Sequence, residues 1–286
     1  MAGTKITKDN KSVLYNIAKV ANLLEKEKPF LKEVIRFYEK VFSLQHETDP
    51  DITKDYSDLK NKKEYPLITR KDFYIDFENS ELLFKKICDL CADFEIKADT
   101  TAKIIKEYIV DKDFSFQFLA QNYLAKDLSL PETVTGNQEF NYNVFDFILY
   151  NSLKPSIVKT SKIISSYFKD QDHSGQRFCP VCASAPSLSL FSKENGSRSL
   201  VCSFCWHEWE TNRLYCSFCN NSDSTTLGYV ALENEKGIRA DYCDKCKKYI
   251  KTIDLREYRQ NIYLPLELIA SIPFDMKMTE EGFKAE

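Results

Sequence analysis

Cysteine is the residue type whose spacing in this chain points most directly to chemistry. All ten cysteines fall into Cys-x-x-Cys pairs, at positions 88/91, 179/182, 202/205, 216/219 and 243/246. Such a pair, placed in a turn, directs two thiolates at one tetrahedral metal ion, so four pairs can close two four-sulfur sites. In a reducing compartment this spacing favours metal binding or redox chemistry over structural disulfides.

The last four pairs are separated by spacers of 19, 10 and 23 residues. Neighbouring, nested and crossed pairings could each fill two sites. An internal repeat favours neighbours, because each long spacer holds two alternating runs around a turn, Asn195-Gly196 in one and Glu235-Lys236-Gly237 in the other. With nested pairing as the alternative, we predict two metal sites, formed by Cys179, Cys182, Cys202 and Cys205 and by Cys216, Cys219, Cys243 and Cys246.

The repeat extends beyond the second pair of each copy. Trp209, Thr211 and Leu214 correspond to Ile250, Thr252 and Leu255, an alternation that predicts a third strand in each copy. A unit of about 40 residues is too small to be stable through apolar burial alone, so each copy needs a metal or a disulfide.

The ligand set limits what the metal can do. Four thiolates suit zinc or a single iron ion of the rubredoxin type, and the sequence leaves both open. Because the protein fills all four positions of each ion, neither site keeps the open position of catalytic zinc, and we expect no enzyme activity. His207 lies two residues after a predicted ligand, and we expect it beside a site rather than on the metal.

The fifth pair, Cys88 and Cys91, lies within KKICDLCADF next to the apolar face of a predicted helix. We expect two small core residues, since unpaired cysteine is among the most buried residue types. A thiol oxidoreductase using this pair is an alternative, but no thioredoxin-like strand–helix–strand pattern surrounds it.

The first 175 residues have helical periodicity. Apolar residues recur every three or four positions from Leu14 to Leu24 and again from Leu31 to Phe42, with a break at Lys28-Pro29. Ser80 is predicted to cap a third helix. Further helices are predicted at 99–110, 114–126 and 143–168, the last of them kinked or broken near Pro155.

Residues 48–72 are polar and resemble a long loop, and helical patterning returns only after Leu255, in LPLELIASI and near EEGF. The predicted fold class is α plus small β, with an all-helical domain, tandem rubredoxin-like or zinc-ribbon units and a C-terminal helix that packs back on the protein. The predicted boundaries are 1–175 for the helical domain, 176–215 and 216–257 for the ribbons, and 258–286 for the closing segment.

Charge and hydropathy exclude some functions. The net charge of −3 argues against broad binding to nucleic acid or anionic membranes. A nucleic-acid-binding zinc ribbon is the alternative function, yet residues 177–257 hold eleven lysines and arginines against ten acids. The N-terminus lacks a secretory apolar region, and no run approaches the 18 apolar residues of a membrane span, so we expect a cytoplasmic protein.

The cysteine motifs resemble those of a known family. CPVCASAP, CSFCWHEW, CSFC and CDKCKKYIK are similar to the motifs of the formate dehydrogenase accessory protein family, FdhE. Glu208-Trp209 and Tyr249-Ile250-Lys251 fill family positions, and MKMTEEGF resembles the family's ending. Ala183 departs from the pattern, because the family usually has glycine there, which puts the turn after the first pair in doubt.

The resemblance implies a cytoplasmic assembly factor with iron-binding, rubredoxin-like sites. Such a protein would bind the catalytic subunit of a respiratory formate dehydrogenase and support its maturation without being a dehydrogenase itself.

Overall fold

The computed structural model describes residues 8–62, 64–94, 99–110, 115–127, 140–168, 175–233 and 235–285 of the chain. It divides into two units that each draw on several stretches of sequence. The first contains Met1–Ala21, Lys32–Lys54 and Arg70–Thr160, and the second contains Asn22–Leu31, Asp55–Thr69 and Ser161–Glu286. The four-part division drawn from the sequence stays a prediction.

The N-terminal half is helical, as predicted. Its helices are α1 (Lys8–Glu27), α2 (Lys32–Glu47), α3 (Phe77–Asp93), α4 (Asp99–Val110), α5 (Phe116–Ala125) and α6 (Tyr142–Ser165). A short 3₁₀ turn, Pro29–Leu31, separates α1 from α2 at the predicted break. Fully buried aliphatic and aromatic side chains, among them Ile35, Phe84 and Leu149, form the apolar core of the first unit.

Helix α3 begins earlier than predicted. Its N-cap is Asp76, whose carboxylate accepts a hydrogen bond from the Asn79 amide at 3.1 Å. Ser80 lies inside the helix and is buried, so the predicted Ser80 cap is wrong. Asp76 is the better cap because its charged oxygen also complements the positive end of the helix dipole.

Helix α6 continues through Pro155, so the predicted break does not occur. A proline inside a helix leaves the carbonyl four residues earlier, here that of Asn151, without its usual donor. The buried Gln45 side chain donates a hydrogen bond to this carbonyl at 2.9 Å and another to the Asn151 side chain at 2.9 Å. Gln45 of α2 therefore replaces the hydrogen bond that proline cannot make.

Residues 48–72 are more ordered than a polar loop. They contain two 3₁₀ helices, Ser57–Asn61 and Arg70–Asp72. Tyr56, Leu59 and Leu67 are buried, and residues 55–69 belong to the second unit. The segment adds apolar cover to that unit.

One six-stranded sheet forms the centre of the second unit. Its strands are β1 (Pro186–Phe191), β2 (Arg198–Cys202), β3 (Glu208–Thr211), β4 (Leu227–Val230), β5 (Ile238–Cys243) and β6 (Lys248–Asp254). The strand order is β3-β2-β1-β6-β5-β4. Each predicted repeat is thus a three-stranded antiparallel ribbon, and the first strand of one ribbon pairs in parallel with the third strand of the other.

This pairing sets the direction of both ribbons. Because β1 runs parallel to β6, strands β1, β3, β4 and β6 all point the same way. The first cysteine pair of each copy precedes β1 or β4, and the second begins at the last residue of β2 or β5. Both cysteine clusters therefore lie at the same end of one sheet.

The C-terminal segment covers one face of the sheet. Helices α7 (Leu264–Ala270) and α8 (Ile272–Glu280) follow β6, and Phe274, Met278 and Phe283 join a buried apolar cluster with strand residues such as Ile253. The helical pattern near EEGF is not helix throughout, because α8 ends at Glu280 and Gly282 has φ +83°. The predicted fold class is confirmed.

Among the helices that the structure describes, none combines the length and apolar character that a bilayer crossing requires.

Candidate metal centres

The structure brings eight cysteine thiols together in two groups of four. One group is Cys179, Cys182, Cys202 and Cys205, and the other is Cys216, Cys219, Cys243 and Cys246. Within each group every sulfur lies within 4.8 Å of the others. This is the grouping between neighbouring pairs that the repeat predicts, not the nested one.

The distances between sulfurs fit a tetrahedral metal site. Neighbouring Sγ atoms are 3.5–3.6 Å apart in the first group and 3.6–3.8 Å apart in the second. Metal–sulfur bonds of about 2.3 Å give a tetrahedron with edges of about 3.8 Å. A disulfide would need about 2.05 Å between the sulfurs, so each group can hold one metal ion and contains no disulfide.

The four Cys-x-x-Cys turns that supply the thiol groups have the same backbone conformation after the second cysteine. The residue after the second cysteine adopts a left-handed conformation in each turn, with φ of 55–59°, at Ala183, Trp206, Asn220 and Lys247. In three of the turns its amide donates to the carbonyl of the first cysteine at 2.8–3.0 Å. Glycine adopts this conformation without strain, yet the first turn also forms with Ala183 at this position.

The first site is closed off by neighbouring elements of the second unit. All four of its cysteines are buried. The amides of Leu67 and Ile68 donate to the carbonyls of Pro180 and Val181, inside the first turn, at 3.0 Å each. The segment 55–69, which no sequence pattern linked to the metal, therefore covers this site.

The second site is partly open. Cys216 and Cys243 are buried, whereas Cys219 and Cys246 are half-buried. Asn221 donates its side-chain amide to the Cys243 sulfur at 3.5 Å. Solvent or a partner could therefore approach two of the four sulfurs.

Arg198 connects the first ribbon to the second site. It belongs to β2, is buried, and donates to the Tyr215 carbonyl at 2.9 Å and to the Ser217 hydroxyl at 3.3 Å. These two residues flank Cys216, so the guanidinium fixes the ligand turn from both sides. The sequence analysis did not identify Arg198 as part of this site. The signal that could have identified it is weak, namely a charged residue within a predicted strand.

Thiol pKa values differ within each cluster because burial and hydrogen bonding act in opposite directions. Burial raises the pKa of Cys179 and Cys205, whereas hydrogen bonds from the neighbouring thiols lower that of Cys182. Burial also opposes ionisation of Cys243, but amide donors, including Asn221, stabilise its thiolate and lower the pKa to about 7. Each cluster thus contains one thiol that favours the thiolate form a metal requires.

Other predicted candidates lie elsewhere. Neither thiol group includes His207, whose ring stacks on Trp209 with centroids 6.3 Å apart. Cys88 and Cys91 are buried in α3, and desolvation raises the pKa of each to about 12. Such thiols stay protonated at neutral pH and are poor nucleophiles, which favours a core role over a redox role.

Two lysines of the second ribbon, which a nucleic-acid-binding zinc ribbon would use to contact phosphates, already form ion pairs within the protein. Lys251 is buried and pairs with Asp275 at 2.8 Å, and Lys247 pairs with Asp244 at 2.6 Å. A phosphate backbone would have to compete with these carboxylates, which weakens that alternative.

The part of the chain that holds both thiol groups is similar to known proteins. Residues 178–213 match the FdhE central domain and residues 214–286 the FdhE C-terminal domain. A protein FdhE homolog of Aquifex aeolicus is 38% identical over 112 residues, which cover 38% of this chain and 39% of that protein. Protein FdhE of Escherichia coli is 33% identical over 111 residues, or 38% of this chain and 35% of that protein. These alignments span less than two fifths of each relative's length.

A solved structure extends the likeness beyond these domains. The crystal structure of the FdhE protein from Pseudomonas aeruginosa superposes with a TM-score of 0.60, covering 96% of this chain and 93% of that one at 18% identity. At that identity the likeness shows a shared fold. The match to family models is confined to residues 178–286, which are similar to the central and C-terminal domains of FdhE.

Proposed function

We propose that this protein is an accessory factor that binds the catalytic subunit of a respiratory formate dehydrogenase and supports its maturation in the cytoplasm. The similarity of residues 178–286 to the FdhE central and C-terminal domains supports this proposal. The resemblance of the cysteine motifs to those of formate dehydrogenase accessory proteins supports it as well. The free thiols fit a reducing compartment.

The metal sites contribute rigidity in this proposal. Each ion, iron or zinc, would be held by one four-thiol group, Cys179, Cys182, Cys202 and Cys205 or Cys216, Cys219, Cys243 and Cys246. A bound ion crosslinks four thiolates and contributes on the order of 10 kcal/mol of apparent folding free energy. Since cysteines fill all four positions, neither site offers a place for substrate, and the role is assembly rather than catalysis.

The observation that carries the proposal is the placement of two four-thiol groups at the same end of one sheet. Crosslinked turns on a continuous sheet form a surface whose shape is set before a partner arrives. A preformed surface lowers the ordering cost of binding, which suits a factor that must recognise an incompletely assembled enzyme.

Binding of the catalytic subunit to anaerobically purified, metal-loaded protein tests this function. We expect saturable binding at micromolar concentrations by biolayer interferometry and weaker binding by protein stripped of metal. Absence of binding by the metal-loaded protein at those concentrations would contradict the proposal. Co-fractionation of the protein with the cytoplasm rather than the membrane tests its location.

A further inference from the structure

A cleft opens beside the second four-thiol site, within the second unit. Its volume is about 140 Å³, and its walls include the linker residues Arg213–Phe218 together with parts of β4, β5 and β6. Cys216 and Cys243 lie in its wall. Ligand pockets for drug-sized molecules are about 300–1,000 Å³, so this cleft suits a single side chain rather than a nucleotide.

The cleft is strongly cationic although the whole chain carries a net charge of −3. Four basic side chains line it, Arg198, Arg213, Arg239 and Lys248, against one carboxylate, that of Asp241. Asp241 is already engaged, because it pairs with Arg239 at 2.7 Å and accepts a hydrogen bond from Thr252 at 2.7 Å. We call this feature the cationic cleft.

Two of these guanidinium groups, those of Arg198 and Arg213, are available to an incoming anion. Arg198 donates to the neutral oxygens of Ser189, Tyr215 and Ser217. Arg213 is exposed and lies 5.0 Å from the centroid of the Phe191 ring. Within the described residues neither arginine pairs with a carboxylate, and a guanidinium held in a fixed position is a good donor for an incoming carboxylate.

The rim of the cleft is apolar. Leu214 is 78% exposed and Tyr229 is 60% exposed, and both belong to its wall. Large exposed apolar side chains beside a polar pocket are typical of surfaces that bind proteins. A free small anion would use the arginines but not this rim, whereas a polypeptide segment would use both.

We propose that the cationic cleft binds an aspartate or glutamate side chain on an extended segment of the partner protein whose other side chains are apolar. The acidic side chain enters between Arg198 and Arg213, and the apolar neighbours contact Leu214 and Tyr229. This inference rests on the proposed function, because it names the chemistry that the partner must present to the second ribbon.

Two labelled peptides, GLELELG and its amide twin GLQLQLG, test the cleft by fluorescence anisotropy on the metal-loaded full chain at low salt. We expect the acidic peptide to bind at least about fivefold more tightly, since charge-assisted hydrogen bonds exceed neutral ones. Arg213→Gln should weaken that preference, because Arg198 alone then faces the carboxylate. Arg177→Gln should keep it, because Arg177 stacks on Phe178 at the same 5.0 Å but lies outside the cleft.

Several results would overturn the proposal. Equal affinity of the two peptides would do so, as would a preference unchanged in Arg213→Gln or weakened equally in Arg177→Gln. Competition by millimolar acetate as effective as the peptide would reassign the cleft to free carboxylates. Stronger binding of a single-stranded DNA oligonucleotide would reassign it to nucleic acid.

The catalytic subunit separates this inference from the proposed function. Undiminished binding of the subunit to Arg213→Gln would reject the cleft as the docking point and leave the proposed function standing. Failure of the unmodified chain to bind the subunit would instead reject the proposed function, while the peptides still report on the cleft.

Discussion

The two four-thiol sites are built on the same backbone turns but are covered differently. The four cysteines of the first site are buried, and Leu67 and Ile68 are bonded to its first turn. In the second site Cys219 and Cys246 are half-buried, and the cationic cleft borders the other two ligands, Cys216 and Cys243. The difference indicates that the same set of four cysteines can serve two purposes. The buried first site stabilises the fold, whereas the second site is accessible at the surface.

Removal of ligands should give the largest contrast. We expect Cys179→Ser with Cys202→Ser to cost on the order of 10 kcal/mol and to unfold the first ribbon, because loss of the metal leaves the remaining ligands of a buried site uncompensated. Cys216→Ser with Cys243→Ser should cost less, because Cys219 and Cys246 are half-buried and can be solvated when the metal is lost. Thermal unfolding followed by circular dichroism measures both, and an equal or greater loss in the second variant would contradict the contrast.

Metal release should be biphasic. An exposed thiolate exchanges its metal with a chelator more readily than a buried one, so the ion of the second site should leave at least about tenfold faster. A metallochromic dye reports the release. The fast phase should be missing from Cys216→Ser with Cys243→Ser, and one common rate for both ions would show that burial does not separate the sites.

Arg198 should affect the second site much more than the first, because its contact in the first ribbon is to Ser189 of β1 and not to a cysteine turn. Arg198→Met removes the donors to Tyr215 and Ser217, each beside Cys216, and hydrogen bonds from charged groups are worth about 1.5–3 kcal/mol. We expect the fast phase of metal release to accelerate about tenfold and the slow phase to stay unchanged. The exposed Arg256→Met is the control, and acceleration of both phases would point to general destabilisation.

The smallest expected effect concerns the turn of the first site. Ala183 has φ +57°, a conformation that strains residues with a Cβ atom by about 1–2 kcal/mol, while glycine gives back about 0.5–1 kcal/mol through its unfolded-state entropy. Ala183→Gly should therefore stabilise the protein by up to about 1 kcal/mol in chemical denaturation. Ala240→Gly, in strand β5, should destabilise it instead.

The sequence predicted the ribbons well because the residues that determine each ribbon lie close together along the chain. Cysteine spacing, the Asn195-Gly196 turn and alternating strands lie within each repeat, and Gly196 and Gly237 have the positive φ that their turns require. The third strands also form where Trp209 and Ile250 predict them. Leu214 and Leu255 lie outside these strands, since β3 ends at Thr211 and β6 ends at Asp254.

Features that depend on distant partners could not be predicted in this way. No residue pattern signals the parallel pairing of β1 with β6, which joins the ribbons into one sheet. The continuity of α6 depends on Gln45, more than 100 residues from Pro155. The cover over the first site comes from Leu67 and Ile68, in a stretch whose composition resembles a surface loop.

The sulfur coordination of anaerobically purified protein tests the central claim most directly. X-ray absorption together with elemental analysis should find two ions per chain, each bound by four sulfurs at about 2.3 Å. In Cys216→Ser with Cys243→Ser, one four-sulfur ion should remain. A chain without stoichiometric metal, or with one ion bound by sulfurs from both ribbons, would contradict the account.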